Sequence, residues 1–165
     1  MNLIEYLVTE LEEEGAKTRK MLMLVPFENV AWKPHVKSMS IGHLSAHIAE
    51  IPSWINITID TPELDFATMN YTAPKISSNT ELIAFFDSTL QKAVDQLKVT
   101  SEETLEDPWT LRNGEHIFIN LPKRQVIRTL VLNHIIHHRA QLSVFLRLLD
   151  IPLPGIYGPT ADDKN

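Results

Sequence analysis

Seven histidines stand in this 165-residue chain, and two of them, His134 and His138, are four residues apart in the middle of a long hydrophobic stretch. From Pro122 to Leu149 the apolar residues recur at helical spacing. At 100° per residue Ile127, Val131, Leu142, Phe145 and Leu149 form one stripe, and the two histidines project from its centre. Burying an unpaired polar ring costs on the order of 1–3 kcal/mol, so both imidazoles need partners. A metal ion would satisfy both, because residues at i and i+4 share a helix face and can turn two ring nitrogens toward one cation. A hydrogen-bonded core pair is the alternative. Gln141, on the same face beyond His138, fits either case, as a polar neighbour or as the residue that orients a ligand ring.

A third donor can be sought by the same geometry. In the stretch after Ser40 the residues Ile41, Leu44, Ile48, Ile51 and Ile55 make an apolar stripe. His47 lies roughly 70° from its centre and His43 roughly 110°, so His47 is the inward-facing candidate. His137 points roughly 90–100° away from the His134/His138 pair and is left outside. Three neutral imidazoles from two packed helices would cap a metal and leave positions open for water or substrate. Such an ion can acidify a water or a thiol at neutral pH. Glu50, one turn from His47, is a weak candidate for general base, and an exposed helix glutamate explains it better.

The elements that would carry these residues are helices. Leu3, Leu7, Leu11, Met21 and Leu24 predict a first helix from about Leu3 to Leu24, closed by Pro26. Glu10, Glu12, Glu13 and Glu14 read as a solvated face of it, with Lys17, Arg19 and Lys20 in reach. Ser40 is an N-cap for a second helix to about Asp60, with a kink or break near Ile48 because Pro52 removes one hydrogen bond. Trp54, on the edge of that helix, reads as core filling. Leu82, Phe85, Phe86, Leu90, Val94 and Leu97 predict a third helix from about Thr80 to Leu97, after a polar connection over 61–79. A second connection contains Asn113-Gly114 between apolar flanks, the signal of a short hairpin within 109–118. Pro122 opens the fourth helix, and Pro152 and Pro154 follow its end. The expectation is therefore an all-α four-helix bundle with long connections, forming one domain over 1–165.

Composition narrows the function. The chain has 15 Lys+Arg against 21 Asp+Glu, a net charge of −6, and no basic run, so nucleic acid is not an expected partner. Cysteine is absent, which leaves nitrogen and oxygen donors for any metal. There is no secretory leader pattern and no apolar run of membrane-spanning length, so no membrane association and a cytoplasmic setting are expected. Leu132, Ile136, Ala140 and Val144 make the fourth helix apolar on further faces, which predicts a homodimer.

These segments resemble a known family. Trp32-Lys33-Pro34, the run from Ser38 to His47, the run from Asn133 to Leu142 and the tail from Ile151 to Pro159 are similar to the DinB-like (damage-inducible protein) superfamily of metal-binding helical bundles. The likeness spans nearly the whole chain and is strongest in the last forty residues. It implies metal ligation by His47, His134 and His138. It also implies chemistry of the kind found in metal-dependent transferases that use a low-molecular-weight thiol such as bacillithiol or mycothiol. The expected function is a divalent-metal enzyme (zinc, nickel or iron), a thiol transferase or a hydrolase, acting on a small electrophilic substrate. The alternative is a module that binds a metal or small molecule without catalysis.

Overall fold

The computed structural model describes residues 2–163. Helix α1 spans Leu3–Leu22 and is started by a capping box in which the Asn2 side chain accepts from the Glu5 amide while the Glu5 carboxylate accepts from the Asn2 amide. It ends two residues before the expected Leu24. Helix α2, Ile41–Glu50, begins at the expected cap, with Ser40 Oγ accepting from the His43 amide at 3.2 Å. Pro52 acts as anticipated: residues Ile51–Ser53 form a 3₁₀ turn, and the chain resumes as α3, Trp54–Asp60. Trp54 is half-buried against the core, as expected of a core-filling ring. After β1, Glu63–Asp65, the polar connection leads to α4, Asn79–Val99, capped by Ser78. A short helix α5, Glu102–Glu106, precedes strands β2, Pro108–Asn113, and β3, His116–Pro122. The fourth long helical stretch consists of α6, Lys123–Val126, a π-helical segment Ile127–Asn133, and α7, His134–Leu148.

Helix α1 packs on α4 and α7, and α2 packs on the same two, so α1 and α2 occupy opposite corners of a four-helix bundle. The shared core is mostly aliphatic, with Leu11, Leu22, Ile41, Ile48, Leu97, Ile135 and Leu146 fully buried around the ring of Phe86. That arrangement places α2 beside α7, which lets His47 meet the fourth-helix pair.

The bundle is mostly helical but not all-α. The Asn113-Gly114 hairpin forms where the sequence indicated, with Gly114 in the left-handed region at φ 58°. It belongs to a three-stranded sheet, because β1 pairs parallel to β2 with Leu64 opposite Leu111. Strand β1 has only three residues, too few for period-2 alternation to show. What fixes it is polar: Arg112 bonds Glu63 at 2.7 Å, and Asp65 accepts from the Gly114 amide at 2.9 Å. The sheet buries Trp109 and Leu111 with Val126 in a second small core, against which Leu130 of the π segment packs.

Two other expectations are corrected. Glu14 does not lie on a solvated face: it is buried beside Arg139, whose Nη2 donates to Glu14 Oε2 at 2.6 Å, while Lys17 bonds Oε1 and the Tyr157 hydroxyl also donates to Oε2. The fourth-helix stripe also shifts. Ile127 and Val131 are buried as expected, but Ile135 and Leu146 replace Phe145 and Leu149 as fully buried residues. In a π segment the i→i+5 bonds take more residues per turn, so the inward face arrives later in the sequence than a 3.6-residue period predicts.

Candidate metal centre

The register shift decides how the histidines sit. They lie on the flank of α7 that meets α2, with His138 8% exposed and His134 half-buried. His47 projects from α2 into the same seam. Its Nε2 is 3.4 Å from His134 Nε2, and His134 Nε2 is 2.8 Å from His138 Nε2. One ring nitrogen from each of the three lies within 4.8 Å of the others, and among the described residues no other group of three or more His, Asp or Glu side chains converges in this way. His43 and His137 are exposed, as the helical angles required. Glu50 is outside the convergent group; its Oε2 accepts a 2.9 Å hydrogen bond from the Tyr71 hydroxyl, whose pKa is pushed up to about 12 by burial and by that carboxylate. Sequence reasoning gave no reason to single out Tyr71, because its partner is set by the course of an irregular connection.

The outer nitrogens determine the tautomers. His134 Nδ1 is 3.2 Å from the Leu130 carbonyl oxygen, and His138 Nδ1 is 2.7 Å from Gln141 Oε1. Both oxygens can only accept, so both Nδ1 atoms carry the proton and both Nε2 atoms present lone pairs. Two lone pairs 2.8 Å apart repel unless a cation lies between them. A proton is disfavoured there, because burial lowers the pKa of His134, of His138 and of His47, the last to about 4. The His47 ring is free to take either tautomer, but one N–H cannot serve both neighbours. Nitrogens bound to one zinc at about 2.0–2.1 Å in a tetrahedral arrangement lie roughly 3.3 Å apart. The contacts at 2.8 and 3.4 Å bracket that spacing. The donor set therefore fits a divalent cation.

The π segment contributes directly. In an α-helix the Leu130 carbonyl would accept from the His134 amide. Here that amide bonds to Val131 instead, and the Leu130 oxygen takes the imidazole. Gln141 meets His138 in the corresponding way, its Oε1 2.7 Å from that ring's Nδ1. Next to His138 and Gln141 a cavity of about 320 Å³ is walled by Met39, Leu44, Val144 and Phe145.

The family model described as the DinB family matches residues 1–164. Among solved structures, a DinB-like protein from Bacillus cereus is 22% identical, with 93% of this chain and 97% of that one covered and a TM-score of 0.70. A DinB-like protein from Bacillus subtilis is 19% identical, covering 92% and 97%, with a TM-score of 0.69. YfiT from Bacillus subtilis, described as a probable metal-dependent hydrolase with an unusual four-helix bundle topology, is 12% identical, covering 92% and 91%, with a TM-score of 0.63. At these identities the structural likenesses speak for the fold alone. No curated protein matches the chain. The chain belongs to the DinB family.

Proposed function

We propose that this DinB-family protein holds one divalent metal ion on His47, His134 and His138 and is an enzyme acting on a small electrophilic substrate, either as a hydrolase or as a transferase of a low-molecular-weight thiol. The observation that carries the reading is the 2.8 Å approach of two Nε2 atoms whose outer nitrogens are both committed as donors. A bound divalent ion would supply Lewis acidity, lowering the pKa of a water or thiol and polarising an electrophile. The chain's own residues do the rest. Leu130 and Gln141 fix the rings, and burial keeps the imidazoles neutral at pH 7. Glu50, one turn from His47 and bonded by Tyr71, is the candidate general base of this reading. The likeness to YfiT favours the hydrolytic branch, and zinc, nickel and iron all suit three imidazoles.

Metal analysis of untagged protein tests the ligand set. His47→Ala, His134→Ala and His138→Ala should each lose most bound metal, whereas His43→Ala and His137→Ala should keep it; full occupancy in His134→Ala overturns the assignment. Activity is tested on the same preparations, stripped by chelator and reloaded with different ions, against thiol-dependent and hydrolytic substrate panels. Stability that returns with metal while neither panel turns over would mark a binding module instead of an enzyme.

A further inference from the structure

A cavity of about 740 Å³ is lined by none of the three clustered histidines. It lies on the outer side of α2, between that helix, the start of α4 and the segment 73–77. Its floor is made by two residues with almost no side chain, Gly42 and Ala46, and its walls by Phe27, Val30, Ile76 and Leu82. The volume falls in the range of small-molecule sites, about 300–1,000 Å³. The apolar part of the lining favours an apolar body in any ligand.

The rim supplies the rest of the chemistry. The start of α2 would ordinarily attract an anion through its free amides, but here they are used: Ile41 N bonds the Trp32 carbonyl, Gly42 N the Val30 carbonyl, and His43 N the Ser40 hydroxyl. The Glu81 carboxylate also lines the cavity and keeps its negative charge, with one oxygen committed to the segment 73–77. Its Oε2 accepts from the Ser77 amide at 2.8 Å and the Ser77 hydroxyl at 2.7 Å, bonds that hold its pKa below the ordinary range and fasten the segment over the cavity. Lys75 remains. It lines the cavity and has no hydrogen bond or ion pair among the described residues, in a chain where acids outnumber bases by six. The exposed His43 ring stands on the same rim as a second unengaged donor. From a partly apolar chamber with one unpaired cation at its mouth, we infer a second binding site, for a small amphipathic organic anion whose apolar body lies over Gly42 and Ala46 and whose carboxylate meets Lys75.

Sodium octanoate, octanol and octylamine, titrated separately into the full chain, are suitable probes by calorimetry and by amide NMR shifts. Octanoate should bind best of the three and shift Gly42, Ala46, Ala73 and Ile76. Lys75→Ala should remove its advantage over octanol by about tenfold while octanol binding stays. Ala46→Phe should block all three ligands, with an unchanged melting curve showing that the bundle is intact. Tighter binding of octylamine, shifts confined to other surfaces, or no binding to the wild type overturns the inference. Because no triad residue lines this cavity, metal content and metal-dependent turnover of Lys75→Ala should equal wild type; the inference can thus fail while the metal reading stands, or the reverse.

Discussion

At the scale of single residues the site is decided by which nitrogen of each ring carries the proton. Gln141→Leu keeps the side-chain volume but removes the acceptor from His138 Nδ1, so metal affinity should fall by about 10–100-fold, measured by competition with a chromophoric chelator; unchanged affinity would show that His138 orients itself. Glu50→Gln tests the candidate base. It should lower kcat by about 10²–10⁴-fold with full metal content if Glu50 acts as base, and activity within twofold of wild type removes it from the mechanism. The histidine triad was legible in the sequence because a helix fixes side-chain direction to tens of degrees, enough to separate His47 from His43 and His138 from His137. Tyr71 and Glu14 were not legible. Their partners lie 21 and 125 residues away, Glu50 for the first and Arg139 for the second, and no local period encodes such meetings.

At the scale of elements, periodicity located the long helices and cap chemistry their beginnings, but it failed where the helix itself changes pitch. The π segment is invisible to a search at 3.6 residues per turn, and it turns His134 and His138 from the core to the α2 seam. The approach of α2 to the chain before it is equally specific. A Cβ on Gly42 would stand 2.9 Å from Val30 Cβ and 3.0 Å from the Val30 carbonyl oxygen. Gly42→Ala should therefore destabilise the fold by about 1–3 kcal/mol, read as a lower urea midpoint, despite the better helix propensity of alanine; a midpoint at or above wild type would show that Val30 yields freely.

At the scale of the molecule, one buried charge cluster ties both ends of the chain together. Arg139 of α7 reaches Glu14 and Thr18 of α1 and the hydroxyl of Tyr157 in the tail. Removing Glu14 leaves the buried Arg139 charge without its carboxylate, so Glu14→Leu should cost about 3–5 kcal/mol, whereas adding Arg139→Met should recover much of it; additive losses in the double-mutant cycle would contradict this. The same pair sets an acid limit. Burial alone would raise the Glu14 pKa, but hydrogen bonds from Lys17, Tyr157 and Arg139 outweigh it and hold the group below its ordinary 4.5. Its stabilising contribution is thus fully present above about pH 4.5 and lost as pH falls toward the lower folded value. Urea midpoints in wild type should drop through that window more steeply than in the double variant. The dimer expectation narrows to fewer residues: Leu132 is buried and Ile136 packs on the core, leaving Ala140 and Val144, joined by Leu148, exposed on α7. We propose that this strip pairs with a second copy, to be checked by light scattering of wild type and Val144→Asp; a monomeric wild type at micromolar concentration rejects it. No described helix is long and apolar enough to cross a membrane.

The unequal chain separations within the triad bear on the order of assembly. His134 and His138 are one turn apart, while His47 and His134 are 87 residues apart, and closing a loop costs entropy that grows with its length. On the proposed ligand set, a metal ion meeting the unfolded chain would engage the neighbouring pair first and clip one turn of α7, easing a nucleation step whose equilibrium factor is on the order of 10⁻³. His47 can join only when α2 docks. Added metal should then accelerate refolding through His134 and His138, and the loss of His47 should appear mainly as faster unfolding. Stopped-flow refolding and unfolding of the three alanine variants, with and without zinc, would expose the difference, and identical kinetics for all three would mean that the ion arrives only after the bundle has closed.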